Sequence, residues 1–225
     1  MIEKRSFGIA CMRYTHGVPE ILMIRKRITY AFSDFVRGLY SAREDLINLF
    51  NNMTADEKLC ILSFRFSHVY YHYNLSLVSG DQYRKYKNMF DATLEKYGNS
   101  LRKIILTSHN IQLMWEIPKG QPQNRESDIF AAMREFHEEA LIAKQHYIIF
   151  PAKVKQSHVD MGVRYVYTYY FARLYENAPA MSHSPFYEVG EIRWMPMSAL
   201  KFGNLTSTVV VAKKLFKYCK NRLNT

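Results

Sequence analysis

The chain has 225 residues and a formal charge of +11, because 31 lysines and arginines stand against 20 acids. Hydrophobic residues make up 48% and aromatic residues 15%, which excludes a disordered chain and allows a sizeable core. The positive charge favours a polyanionic partner, such as nucleic acid, a phosphorylated small molecule or an anionic membrane surface.

Cysteine usage and hydropathy limit where the protein is expected to act. Cys11, Cys60 and Cys219 lie far apart and no CxxC pair is present, so neither a disulfide framework nor a cysteine zinc site is indicated. The apolar run near the N-terminus is too short for a signal peptide, and none elsewhere reaches the length of a bilayer span. We therefore expect a cytoplasmic protein with no membrane span.

The first part of the chain predicts a β-hairpin followed by helices. Residues 6–12 and 20–24 are typical of strands, and the turn-rich sequence THGVP joins them. From about residue 34 the pattern becomes helical, with a T-x-x-E capping box at Thr54 and Glu57. A later helix, DQYRKYKNMFDATLEKYG, is closed by Gly98, and NSLRKIILTSHN predicts a further short helix.

From residue 111 the pattern alternates between strand and helix. The sequence QLMWEIP predicts a strand, KGQPQN a loop, and a helix begins at about Ser127. Three more strands are predicted, in YIIFPAKVKQ, RYVYTYYFARLY and EIRWMPM, and an amphipathic helix follows from about Leu205. We therefore predict an α/β domain formed by residues 1–33 and 111–225, interrupted by a mostly helical insertion of residues 34–110.

Three glutamates lie close together in REFHEEALI, at positions 135, 138 and 139. Since each helical residue turns by about 100°, Glu135, Glu138 and Glu139 project from one face, beside an apolar face. Like charges at i and i+4 destabilise an isolated helix, and a divalent cation removes that penalty while gaining oxygen ligands. These three residues alone do not separate a metal site from an ordinary solvated acidic face.

The preceding residues complete a longer pattern, G-x5-E-x7-R-E-U-x-E-E, in which U is apolar. This pattern resembles the Nudix box of hydrolases that act on nucleoside-diphosphate-linked substrates, and it lies in the expected strand–loop–helix context. The matching positions are Gly120, Glu126, Arg134, Glu135, Phe136, Glu138 and Glu139, and Ile142 fits the closing apolar position. Leu141 departs from the pattern because the family has glycine there. It predicts either a longer helix or a different exit from the helix.

The resemblance implies an α/β/α sandwich that hydrolyses a pyrophosphate linkage with Mg²⁺ or Mn²⁺. By this resemblance Glu135, Glu138 and Glu139 hold the metal, Arg134 orients Glu135, and Glu126 supports the site. A further acid from outside the box is also expected. Glu188 and Glu191 are the candidates, and Glu188 is favoured as a ligand or base, with surface acids flanking a strand as the alternative.

The entry to the box, WEIPKG, is similar to that of mRNA-decapping enzymes of eukaryotes and viruses. Together with the helical insertion, it resembles the decapping and diphosphoinositol polyphosphate hydrolases of large DNA viruses. The implied reaction cleaves the 5′ cap of RNA, releasing 7-methylguanosine diphosphate and leaving a 5′-monophosphate. Diphosphoinositol polyphosphates or dinucleotides are alternative substrates, and Lys119 suits any of them. A non-catalytic RNA-binding protein is a further alternative, disfavoured because the acids of the box are intact.

Capped RNA would be held largely through its phosphates, and three basic clusters are candidates for that contact. Tyr83, Tyr86 and Phe90 interleave with one cluster and are candidates for base stacking or for a core. His68 and His72 lack the acid of a metal-binding helix motif, so we expect no metal there. The predicted RNA-binding residues are Arg25, Lys26 and Arg27; Arg84, Lys85, Lys87, Lys96, Arg102 and Lys103; and the C-terminal Lys213, Lys214 and Lys217.

Overall fold

The computed structural model describes residues 2–75, 80–160, 162–176, 188–201 and 206–223. The chain divides into two compact units, one formed by residues 1–25 and 114–225 and the other by residues 26–113. The strands are β1 (Ile2–Thr15), β2 (Val18–Lys26), β3 (Trp115–Glu116), β4 (Lys119–Gly120), β5 (Tyr147–Asp160), β6 (Val163–Leu174) and β7 (Val189–Pro196). The helices are α1 (Tyr30–Val36), α2 (Arg43–Asn51), α3 (Ala55–Leu62), α4 (Phe66–Asn74), α5 (Asp81–Thr107), α6 (Asp128–Ala140) and α7 (Thr206–Leu223).

The first unit is built around a mixed sheet with the order β3–β2–β1–β6–β5, to which β4 adds beside β1 and β7 beside β2. β1 runs parallel to β6, whereas the β1–β2 and β5–β6 pairs are antiparallel. The predicted hairpin is present. Its two turn residues, His16 and Gly17, have φ values of 51° and 77°, as the right-handed twist of a two-residue hairpin requires.

The sheet is buried on both faces, so β1 and β2 carry nearly continuous apolar runs instead of an alternating pattern. On one face α6 packs through Phe136 against Phe7 and Ile9 of β1. On the opposite face α7 packs through Leu215 in the cluster that holds Met12. The predicted α/β/α sandwich is therefore confirmed.

The second unit is helical over its described residues and begins earlier in the chain than residue 34. The difference arises from α1, which the sequence did not predict because YAFSDFV is too short for helical periodicity to be visible. Thr29 caps α1, since its hydroxyl accepts a hydrogen bond of 3.0 Å from the backbone N–H of Phe32. Phe32 and Phe35 of α1 are buried in the core of this unit.

The long helix α5 contains a break at Gly98, where φ is 38° and ψ is −119°. The predicted pair of helices therefore meets end to end at this glycine, which tolerates a positive φ at little cost. None of the described helices is both long and apolar enough to cross a bilayer.

Glu57 joins the starts of two helices in the helical unit. Its side chain is buried, with 1% of the residue exposed. One carboxylate oxygen accepts from the N–H of Thr29 at 2.6 Å, and the other accepts from the Thr29 hydroxyl at 2.9 Å and from the N–H of Thr54 at 2.8 Å. The predicted capping box of α3 is thus present, and its glutamate also anchors the segment before α1.

We expect Glu57→Gln to lower the free energy of unfolding by about 2 kcal/mol, because a side-chain amide nitrogen cannot accept the bonds that a buried carboxylate oxygen accepts. Chemical denaturation followed by circular dichroism measures the change. Glu44→Gln, at an exposed acid in the first turn of α2, is the matched control and should change stability far less. Equal effects from the two variants would contradict this role of Glu57.

Candidate active site

Arg134 of α6 contacts three of the predicted acids, Glu126 from the loop before the helix and Glu135 and Glu138 from the helix itself. Its guanidinium donates hydrogen bonds to Glu126 at 3.0 Å, to Glu135 at 2.7 Å and to Glu138 at 2.9 Å. The hydrogen bond from Arg134 lowers the pKa of Glu126 below its ordinary value, and the same contact raises the pKa of Arg134. Three carboxylates therefore cluster around one arginine, whose single positive charge offsets only part of their negative charge.

Glu139 is almost fully buried, with 4% of the residue exposed. Its carboxylate accepts a hydrogen bond of 2.9 Å from the backbone N–H of Lys119. Lys119 and Gly120 were predicted as loop, but they form β4 and pair with Gly8 and Phe7 of β1. This pairing fixes the entry segment of the box against the sheet, beside the acidic face of α6.

Gly120 allows the closest approach between that segment and the helix. A Cβ atom added at this position would overlap the carboxylate of Glu135. Glycine is therefore found at position 120 because Glu135 occupies the space that a Cβ atom would need. The backbone conformation of Gly120 does not itself require glycine.

We expect Gly120→Ala to lower stability by no more than about 1 kcal/mol, since the added methyl group meets only the carboxylate of Glu135, the far end of a flexible side chain that can move aside. Hydrolysis should fall as well, because the displaced carboxylate belongs to the acidic cluster. Thermal melting and a turnover assay measure the two effects. Gly80→Ala is the matched control, because a Cβ there would meet open space. The explanation fails if both variants behave alike.

Glu116 is a residue of this site that the sequence reasoning missed. One of its carboxylate oxygens forms an ion pair with the ammonium group of Lys119, and the other is buried without a hydrogen-bond partner. Lys119 also lies over the ring of Tyr167, with its Nζ 5.5 Å from the ring centroid. The i, i+3 spacing of acid and lysine in WEIPKG was the available signal. The pair holds Lys119 in place over the sheet.

Leu141 ends α6 in the left-handed conformation, with φ of 60° and ψ of 23°. Its N–H donates to the carbonyl of His137 at 3.0 Å, and the helix stops at Ala140. The expected extension of the helix is therefore wrong: leucine adopts the backbone that glycine usually supplies. The chain leaves α6 along the path that a glycine would allow, and the positive φ of the leucine strains the backbone.

We expect the free energy of unfolding of Leu141→Gly to exceed that of Leu141→Ala by roughly 0.5–1 kcal/mol, since both variants lose the packing of the leucine side chain and only glycine relieves the strain. Relief of left-handed strain is worth about 1–2 kcal/mol, and the extra freedom of glycine in the unfolded chain offsets about 0.5–1 kcal/mol of it. Chemical denaturation measures the difference. Leu141→Ala keeps the strain and loses packing, so it should not stabilise. Equal free energies of unfolding for the two variants would rule out the backbone as the cause.

The residue types of the cluster fit a divalent cation, because carboxylate oxygens are the ligands that Mg²⁺ prefers. Within the described ranges, however, no three His, Cys, Asp or Glu side chains stand in an arrangement that already holds an ion. The physical reason is Arg134, which takes up oxygens of Glu126, Glu135 and Glu138. Ion binding at these oxygens requires the side chains to rearrange.

The two candidates for a further acid have different surroundings. Glu191 pairs with Arg25 at 2.6 Å and also with Arg193. Glu188 is exposed just before β7. Arginines hold Glu191. Glu188 stays the predicted additional ligand or base.

The first basic cluster is largely engaged in the protein itself. Arg25 binds Glu191 and lies over the ring of Trp115, 5.3 Å from its centroid. Arg27 donates to the carbonyls of His72 and Tyr73 at the end of α4. The structure thus gives Arg25 and Arg27 contacts that compete with a phosphate.

The remaining predicted RNA-binding residues lie on helices. In α5, Arg84 pairs with Asp81 and Lys87 with Asp91, and both pairs are exposed. Lys103 lines a cleft of about 150 Å³ between α2 and α5, together with Arg43. The remaining members are exposed on α5 (Lys85, Lys96, Arg102) and on α7 (Lys213, Lys214, Lys217), whereas Lys26 is half-buried.

The aromatic residues of α5 belong to the core of the helical unit. Tyr86 and Phe90 are buried, and Tyr83 packs against the same cluster through Phe66, at 5.1 Å between ring centroids. Tyr86 and Phe90 are therefore core residues and leave no ring face for base stacking, whereas Tyr83 is only half-buried. His72 lies edge-on to the ring of Phe32, with the ring centroids 5.2 Å apart.

Fold and box together define a Nudix hydrolase, a class of pyrophosphohydrolases. The chain belongs to the NUDIX domain family, which matches residues 97–219.

The relatives are viral. The chain is 34% identical over 215 residues to "mRNA-decapping protein g5R" of African swine fever virus (isolate Pig/Kenya/KEN-50/1950), an alignment that covers 88% of this chain and 87% of the viral protein. It is 27% identical over 207 residues to a "Putative mRNA-decapping protein" of Acanthamoeba polyphaga mimivirus, covering 77% and 57% of the two chains. Among solved structures, the C. elegans Ap4A hydrolase binary complex has the same fold, with a TM-score of 0.51 at 14% identity and coverage of 97% and 98%.

Proposed function

We propose that this protein is a divalent-metal-dependent decapping enzyme that hydrolyses the 5′ cap of mRNA, releasing 7-methylguanosine diphosphate and leaving RNA with a 5′-monophosphate. The observation that carries the proposal is the acidic face of α6, with Glu139 bonded to the backbone of Lys119 and three further acids held at Arg134. This site lies in a chain that is similar along 88% of its length to a viral decapping protein.

In this proposal the carboxylates of Glu135, Glu138 and Glu139 hold Mg²⁺ or Mn²⁺, with Glu126 in support. When bound there, the ion would supply positive charge for the phosphates and would make water more acidic. Arg134 keeps the acids together, and Glu139 is suited to take a proton from the attacking water because its carboxylate is shielded from bulk solvent. Lys119 is proposed to supply a cation for the phosphates, which then compete with Glu116 for its ammonium group. Glu188 is the proposed further acid.

Capped RNA is the proposed partner because the chain carries a formal charge of +11, which suits a polyanion longer than the cap. The exposed lysines and arginines of α5 and α7 are proposed to contact RNA phosphates. We further propose that the protein acts in the cytoplasm of an infected cell, where it would meet capped messages.

The test uses RNA labelled in the cap phosphate next to the methylated guanosine. The full-length protein is incubated with this RNA in Mg²⁺, in Mn²⁺ and with a chelator, and the products are separated by chromatography. Release of labelled 7-methylguanosine diphosphate with either metal, and none with the chelator, is the expected result. Absence of release in both metals contradicts the proposal.

The same protein is offered diphosphoinositol polyphosphates and dinucleotide polyphosphates at equal concentration. Decapping predicts a higher kcat/KM for capped RNA than for either small substrate. A higher value for a small substrate assigns the site to that substrate instead.

A further inference from the structure

One row of side chains on the sheet continues beyond the part that α7 covers. Alternation along β6 places Tyr165, Tyr167, Tyr169 and Phe171 on the same face. Tyr169 and Phe171 are buried in the core beneath α7. Tyr165 and Tyr167 are only half-buried, so the row emerges from under the helix.

A histidine from the neighbouring strand adds to this row. His158 of β5 is directly opposite Tyr165, and it is exposed. Its ring stacks on Tyr165 with centroids 5.1 Å apart and planes 14° apart, and it lies 5.5 Å from the ring of Tyr167. The rings of His158, Tyr165 and Tyr167 therefore lie together on an accessible surface of this unit. We call this group the β5–β6 aromatic platform.

Lysines border the platform on the side of β1 and β4. Lys4 of β1 is the register partner of Tyr165, and its Nζ is 5.9 Å from that ring. The Nζ of Lys119 is 5.5 Å from the ring centroid of Tyr167. Flat rings bordered by cations match a ligand that has both a planar base and phosphates.

Lys119 connects the platform with the acids of α6. Its backbone N–H binds the carboxylate of Glu139, whereas its side chain crosses the sheet toward Tyr167. Gly8 permits this crossing, because a Cβ there would overlap the carbonyl oxygen of Pro118 and the side chain of Lys119. One residue therefore spans from the acidic face to the platform.

We propose that the β5–β6 aromatic platform is the subsite for the 7-methylguanine base of the cap, a placement that rests on the proposed decapping function. The methylated base carries a positive charge, which ring faces attract beyond ordinary stacking. On binding it would replace the ammonium groups of Lys4 and Lys119, which lie over the rings of Tyr165 and Tyr167. Lys4 and Lys119 border the platform where the negatively charged phosphates leave the base. The phosphate chain then runs along Lys119 toward Glu139.

The platform is tested with Tyr165→Ala and His158→Ala, and with Tyr165→Phe, which keeps the ring. Tyr175→Ala is the matched control, an exposed tyrosine just beyond β6. The measurements are kcat and KM on a methylated cap dinucleotide, and the affinity for 7-methylguanosine diphosphate and for guanosine diphosphate by calorimetry. Thermal melting checks that every variant is folded.

Loss of one stacked ring should raise KM and weaken binding of the methylated diphosphate by on the order of tenfold, with little change in kcat. Tyr165→Phe and Tyr175→Ala should behave as wild type, and the loss should be smaller for the unmethylated diphosphate. If KM and affinity are unchanged in both alanine variants, the proposed base subsite is wrong. Cleavage of capped RNA by the wild type would still support the decapping function. If the wild type does not cleave capped RNA, the proposed decapping function is wrong. Calorimetry then shows independently whether the β5–β6 aromatic platform binds the methylated base.

Discussion

Glu139→Gln is expected to reduce the kcat of cap hydrolysis by about 10²–10⁴-fold, the range for loss of a group that transfers a proton or stabilises charge in the transition state. Glutamine has nearly the same shape, and its amide oxygen still accepts the hydrogen bond from the N–H of Lys119. The fold and the entry segment should therefore persist while the negative charge is lost. Single-turnover assays on cap-labelled RNA measure the effect.

The control for this variant is Glu176→Gln, which removes an acid from a highly exposed side chain that follows β6. Its rate should equal that of the wild type. Melting temperature in increasing Mn²⁺ gives a second readout, since Glu139→Gln should gain less stability from the ion than the wild type does. A fully active Glu139→Gln protein would remove Glu139 from the proposed chemistry.

Reversal of three charges on α5, Arg84, Lys85 and Lys87 to glutamate, is expected to weaken binding of long capped RNA by roughly a hundredfold. Each lost phosphate contact on a single strand also lowers the slope of log K against log salt by about 0.7. Cleavage of a cap dinucleotide should be unchanged, because that substrate has no further phosphates to reach these residues. Fluorescence anisotropy at several salt concentrations measures the binding.

A second triple variant separates position from total charge. Lys144, Lys153 and Lys155 are exposed residues of the first unit, and their reversal to glutamate changes the net charge by the same amount. Binding of long RNA should fall much less in this protein. Similar losses in both triple variants, or an equal loss on the dinucleotide, would falsify a phosphate-binding role for α5. The substitutions on α5 remove the ion pairs with Asp81 and Asp91. Circular dichroism is therefore used to check that α5 remains helical.

Local patterns predicted the elements that are long or strongly marked. The hairpin follows from the turn residues around Gly17, and the capping box at Thr54 correctly predicted the start of α3. The break at Gly98 was also visible, because glycine ends helical periodicity. The short helix α1 and the two-residue strand β4 were missed, since elements of this length contain no full period and depend on partners elsewhere in the chain.

The acidic cluster of the site could be predicted from the sequence for a similar reason. Glu135, Glu138 and Glu139 lie within five positions of one helix, so helical geometry alone brings them to one face. The role of Glu116 was not visible, because its contact with Lys119 depends on the path of β4 across the sheet. The burial of Tyr86 and Phe90 could not be separated from an exposed stacking surface until the packing of the helical unit was known.

The sequence by itself determined the box, the acidic face of α6 and the interruption of the α/β domain by helices, because each of these rests on spacing along the chain. Only the tertiary structure decided that Arg134 holds three acids, and that Leu141 takes the backbone conformation of the expected glycine. It also decided which aromatic residues are exposed. His158 and Tyr165 meet only across two strands, and burial depends on what packs above a strand more than on the residues within it.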